Sequence, residues 1–297
     1  LLVFVSIVPQ KTFVQQIGKD RVDVKVMVPP GASPHTFEPK PRQMVSISRA
    51  KIFFAIGVAF EKAWLNKIAA TNPKMKVVRT DHGIEKLPMA VHQQPGVEKL
   101  HDAAAEGPSR AASHHPVQGQ SSNPGESIED HHRERGGLDP HIWLSPPLVK
   151  QQARTILRAL QEIDPAYRDN YEANYRRFVS RIDILDAQLR SLFAGKQGLQ
   201  FMVFHPAWGY FARAYGLKQV PVEIEGKSPK PAQLKQHIEH AKKNGIKVIF
   251  AQPQFSAKSA ALVAREIGGE VVLADPLEED WLANMRAVAE QFKSALR

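Results

Sequence analysis

Between Ala166 and Phe193 the chain runs for 28 residues without a proline or glycine, and Tyr171, Tyr175, Phe178, Ile182, Leu185, Leu189 and Leu192 recur there at three- and four-residue spacing. That period marks an amphipathic helix. At 1.5 Å per residue such a helix is about 40 Å long, enough to run the height of two domains. Everything on either side of it has to be arranged about one stiff rod.

Both flanks alternate short apolar runs with helical patterns. Before the rod come Leu1 to Val8, a helical Lys11 to Ile17 closed by Gly18, Val22 to Val28, a helical Pro41 to Ala50, Ile52 to Ile56 and Val77-Val78. A further helical stretch from about Leu148 to Ile163 ends at Asp164-Pro165. After the rod come strand-like Leu199 to Phe204, Val220 to Ile224, Val248 to Ala251 and Val271 to Leu273. Helical Ala207 to Tyr215, Pro231 to Lys243, Ala257 to Ile267 and Trp281 to Leu296 lie between and after them. Such alternation implies parallel strands with helical crossovers. The expected fold is α/β: two lobes, each with a mainly parallel sheet flanked by helices, joined by one long rigid backbone helix. The boundaries are an N-terminal lobe over 1–164, the connecting helix over 165–194 and a C-terminal lobe over 195–297.

Two stretches need separate treatment. The opening run Leu1 to Val8 has the β-branched and aromatic content of a buried strand, and the rival reading is the end of a signal peptide's apolar region. From Pro88 to Gly137 the pattern fails, and His, Gln, Ser, Pro, Gly, Ala and charged residues dominate. A stretch of that composition buries too little to offset its ordering entropy, so 88–137 reads as a mobile insertion. The chain has no cysteine, which removes disulfides, thiolate metal sites and cysteine nucleophiles together. Its formal charge of +10 is spread along the helices with no basic cluster interleaved with aromatics, so a nucleic-acid partner is not expected.

Four proline-punctuated segments carry the chemistry: Ser33-Pro34-His35, Asp139-Pro140-His141, Phe204-His205-Pro206 and Ala274-Asp275-Pro276. Three imidazoles and a carboxylate complete a tetrahedral shell for a divalent ion of borderline softness, with donors at about 2.0–2.2 Å. His205 and Asp275 follow predicted strands, where ligands of open α/β sheets gather. Glu223 and Glu225 stand after another strand and are candidates to line the cleft or hydrogen-bond a ligand imidazole, with a salt bridge to Lys227 as the competing role. The insertion adds His114, His115, His131 and His132, besides His92 and His101, as weak auxiliary metal ligands. His237 and His240 sit among lysines and read as a solvated surface pair. A hydrolase using the same metal is the alternative, because three histidines with an open position activate water. The chain lacks a His-Glu-x-x-His helix, a Gly-x-Ser-x-Gly elbow and a phosphate-binding glycine loop.

Pro30 to His35, Gly57 with Glu61 and Trp64, Asp139 to Pro146, Phe204 to Phe211 and Asp275 to Leu277 closely resemble the metal-binding subunits of bacterial zinc and manganese ABC transporters, zinc type. The resemblance covers nearly all of the chain outside the insertion. It implies that His35, His141, His205 and Asp275 bind the metal, and that the protein captures an extracytoplasmic ion and delivers it to a membrane permease without catalysing a reaction. It also implies a periplasmic or otherwise extracytoplasmic place, with or without a lipid anchor. Three nitrogen donors favour Zn2+ over the harder Mn2+, which is the alternative ion; manganese binders of this family often place a carboxylate where this chain has His205.

Overall fold

A computed structural model describes residues 1–89, 137–223, 229–255 and 257–296. The first lobe opens with β1 (Leu2–Val5), α1 (Val8–Gly18), β2 (Asp23–Val26), α2 (Pro41–Ile47), β3 (Ile52–Ala55), α3 (Ala59–Thr71) and β4 (Lys76–Arg79). Then come α4 (Pro146–Ile163) and the long α5 (Arg168–Leu192). The second lobe follows as β5 (Gln200–Val203), α6 (Gly209–Tyr215), β6 (Lys218–Pro221), α7 (Pro231–Lys243), β7 (Val248–Ala251), α8 (Ala257–Glu266), β8 (Glu270–Leu273) and α9 (Trp281–Ala295). The strand orders are β2-β1-β3-β4 and β6-β5-β7-β8, with every neighbouring pair parallel. The first run of the chain is therefore a central strand of its sheet.

The rod predicted from the sequence is α5, 25 residues preceded by a 3₁₀ turn over Pro165–Tyr167. Its inner face buries Tyr171, Phe178, Ile182, Leu185 and Leu189. Its outer face carries the i,i+4 pairs Glu172–Arg176 and Asp186–Arg190. Gly195, at φ 74°, takes the left-handed backbone beyond the helix end. α5 packs against α1 and α4 on one side and α9 on the other, so it belongs to both lobes.

Two separate cores would be the simplest outcome for two lobes, and the core is instead shared. One cluster runs from β1 and β3 through α4, α5 and α9 into one face of the second sheet, reaching Phe201, Val203 and Phe250. The other face of that sheet, with Met202, Phe204 and Ile249, has its own smaller core against α7 and α8. Strand alternation alone divides neighbours such as Phe201 and Met202 between the two. Hydrogen bonds lock the junction: the Trp143 indole N–H donates to the Pro276 carbonyl at 2.6 Å, and the Trp281 indole N–H donates to the Trp143 carbonyl at 2.7 Å.

The two sheets use their matching strand order differently. In such sheets the crevice for ligands opens where the crossovers diverge, between β1 and β3 and between β5 and β7. The first crevice is filled by the chain's own polar groups. Glu61 accepts from Ser6 Oγ at 2.6 Å, Ile56 N at 2.9 Å and Gly57 N at 2.8 Å. Gln10 accepts from Ser6 N at 3.1 Å and donates to Thr80 at 3.1 Å. Burial pushes the Glu61 carboxyl up from its ordinary value against the pull of those three hydrogen bonds. The second crevice carries His205.

The shared seam predicts a sharp contrast between neighbours on α5. Leu185 is fully buried and Ile184 is 53% exposed. Leu185→Ala is expected to cost about 2–5 kcal/mol in chemical denaturation, and Ile184→Ala less than about 0.5 kcal/mol. Equal effects would contradict this seating of the rod.

Candidate metal centre

Three of the four expected ligands come together. His35 lies in the loop between β2 and α2, His141 immediately precedes the 3₁₀ turn Ile142–Leu144, and His205 follows β5. One ring nitrogen of each lies within 4.8 Å of the others. The ring centroids of His35 and His141 stand 5.0 and 5.3 Å from that of His205, nearly edge to face. A tetrahedral zinc with bonds near 2.0–2.1 Å needs donors about 3.4 Å apart, so a small contraction closes the shell.

Each imidazole is placed by local chemistry. The His35 segment is a turn in which Thr36 N donates to Ser33 O at 3.3 Å, and Phe60 N at the start of α3 donates to Pro34 O at 3.2 Å. Asp139 Oδ1 accepts both the His141 backbone N–H at 2.8 Å and Nδ1 at 2.7 Å. Glu223 Oε2 lies 3.0 Å from His205 Nδ1. A carboxylate on Nδ1 keeps the proton there and leaves the Nε2 lone pair for a metal. Nε2 of His205 is buried and has no hydrogen-bond partner, an expensive arrangement unless an ion uses it. Phe255 stacks on His205 at 4.8 Å and 23° and fixes the ring plane.

The pocket bounded by these rings has a volume of about 20 Å³, room for a single ion or water. Val58, Ala59, Trp143, Phe255, Pro276 and Leu277 give it an apolar wall. Although His35 keeps an exposed edge, partial burial of its ring, then the neighbouring His205 and His141, lowers its pKa to about 4. Burial also lowers that of His205, against the opposing pull of Glu223. His35 and His205 thereby favour the neutral form, which is the state that divalent ions require.

Asp275 stands apart from the compact trio. It is half-buried two residues beyond β8, and its Oδ1 accepts from Gln254 Nε2 and Leu277 N, both at 2.8 Å. Glu223, one of the two glutamates considered beside a ligand imidazole, stands at His205 Nδ1. Glu225, Lys227, His92, His101, His114, His115, His131 and His132 lie outside the described residues. His237 is fully buried rather than solvated, and His240 Nε2 lies 2.8 Å from Gln200 Oε1. The sequence reading assigned no role to Asp139, although an Asp two residues before a His is a recognisable turn-forming pattern. Phe255 carried no local signal at all.

The lowered pKa of His35 fixes a sign. An imidazole whose folded pKa lies below its unfolded value of about 6.5 binds fewer protons when folded. Its contribution to stability is complete above about 6.5 and is lost as pH falls toward about 4. In the metal-free protein the His35 ring resonances are expected to titrate with a midpoint near 4, and a midpoint at 6 or above would contradict the packing described here.

Known proteins share this architecture. Residues 3–295 match the family model described as zinc-uptake complex component A, periplasmic. The chain is 26% identical to the high-affinity zinc uptake system protein ZnuA of Bacillus subtilis (strain 168), over 94% of this chain and 79% of that protein. It is 29% identical to the ZnuA of Yersinia pestis, over 99% of this chain and 91% of that one. A crystal structure of ZnuA superposes with a TM-score of 0.81 at 39% identity, covering 99% of this chain and 98% of that chain. With a match of that extent, and with the paired parallel sheets and long helix already in view, the chain belongs to the family of the periplasmic zinc-uptake complex component A.

Proposed function

We propose that this protein is the extracytoplasmic zinc-binding subunit of an ABC-type importer, which captures Zn2+ as cargo and hands it to a membrane permease. The observation that carries the reading is the trio His35, His141 and His205, with ring nitrogens within 4.8 Å and one buried Nε2, that of His205, which has no hydrogen-bond partner among the described residues. Nitrogen donors favour zinc over manganese, while affinity in vitro also admits copper and nickel. The apolar wall excludes competing water, and carboxylates at Nδ1 of His141 and His205 strengthen the imidazoles as donors. A cavity of about 20 Å³ between the three rings suits a single ion.

Asp275 is proposed as the fourth ligand. It precedes Pro276 and Leu277 in the pocket wall, and its recruitment requires an exchange of, or an addition to, the contacts it makes with Gln254 and Leu277. The lobe boundaries at 164 and 194 serve the same reading: release of the ion accompanies a small relative motion of the lobes about α5. Among the described residues no helix is long and apolar enough to cross a membrane.

Calorimetric zinc titration of chelator-stripped protein tests the proposal. One tight site per chain is expected, weakened at least about 100-fold by His141→Ala and about 10- to 100-fold by Asp275→Asn. Unchanged affinity in Asp275→Asn would remove the fourth ligand and leave an open three-histidine site. No tight site in the wild type would overturn the proposal.

A further inference from the structure

The two chain passes flanking 90–136 meet at the base of that segment. Pro88 and Leu138 form an antiparallel bridge, Met89 N donates to Gly137 O at 3.0 Å, and Asp139 N donates to Leu87 O at 2.8 Å. Tyr210, in the first turn of α6 and therefore in the second lobe, places its hydroxyl across both passes. That hydroxyl accepts from Leu87 N and donates to Asp139 O, each at 2.9 Å. The ring is 3% exposed. Its pKa is pushed up to about 12, chiefly by burial, so it stays a donor.

Asp139 is thereby engaged at its backbone N–H, its backbone carbonyl and Oδ1. Its backbone joins Leu87 and Tyr210, and its Oδ1 holds the backbone and the ring of His141. α6 also presses close to its carboxylate: a Cβ at Gly209 would stand 2.9 Å from Asp139 Oδ2. Only a residue without a side chain lets the helix approach so near.

From this geometry we propose that Tyr210 is a positioning residue for metal binding: an interlobe latch that ties the placement of His141 to the seating of the second lobe through Asp139. A motion of α6 away from the first lobe draws on the Asp139 backbone, and the carboxylate that fixes the His141 ring moves with it. The lobe that supplies His205 thus also controls a ligand of the other lobe, and the ion loses two donors in one displacement. Loss of the latch speeds release because the ring of His141 is no longer held in its ligating orientation.

The inference rests on His141 being a ligand of the proposed zinc site. Its test uses Tyr210→Phe, which keeps the ring and removes only the hydroxyl, beside Tyr215→Phe, which removes a hydroxyl bound to Asp186 at 3.0 Å with no path to His141. Zinc release to excess chelator and the visible spectrum of the Co2+-loaded protein are measured for both. Tyr210→Phe is expected to release zinc roughly tenfold faster and to shift the cobalt bands, with both readouts unchanged in Tyr215→Phe. Release and spectrum within about twofold of wild type in Tyr210→Phe, or equal changes in both variants, would overturn the latch while leaving the zinc site standing. Failure of the wild type to bind zinc would overturn both.

Discussion

Three imidazoles bring ring nitrogens within 4.8 Å of one another in a largely apolar recess, and the neighbouring residues are organised to hold them there. Burial, and then the neighbouring rings, lowers the pKa of His35 and His205 and favours their neutral form. Orientation is then supplied separately, by Asp139 for His141 and by Glu223 and Phe255 for His205. His141 and His205 thus each have a carboxylate at Nδ1.

The fold makes this possible by giving its two like-ordered sheets unlike roles. The crevice of the first sheet is sealed by Glu61, Ser6 and Gln10, and this lobe's candidate ligand His35 reaches the cleft from the loop after β2. In the second sheet β5, β7 and β8 end in His205, Gln252 and, two residues on, Asp275, so one sheet edge supplies a ligand and part of the wall. α5 and the reciprocal bonds of Trp143 and Trp281 set the distance between the edges. A shared core resists large separation, which suits a site that closes on an ion by ångströms.

Much of this was legible where local chemistry decides. α7 runs from Pro231 to Lys243 as read, because Pro fixes the first turn and Gly245, at φ 65°, ends it. β6 lies at Lys218–Pro221 instead of two residues later, because its register is set by pairing Gln200 with Lys218 and the following residues must carry Glu223 to His205. α3 went unannounced, although Phe60, Trp64, Leu65 and Ile68 recur there at three- and four-residue spacing and pack on the core. His237 was misjudged from its charged neighbours, although Leu234, Ile238 and Ala241 pack on the same helix face and mark it as inward. The three histidines were readable from their proline-flanked segments. Gln254 and Phe255 were not, since only the tertiary fold brings the loop after β7 to the cleft.

X-ray absorption at the zinc edge of the loaded protein measures the central claim directly. Three imidazole nitrogens and one oxygen donor near 2.0–2.1 Å in four-coordinate geometry are expected. A spectrum with fewer than two imidazoles would contradict it, because no arrangement of the trio at His35, His141 and His205 could then be holding the ion.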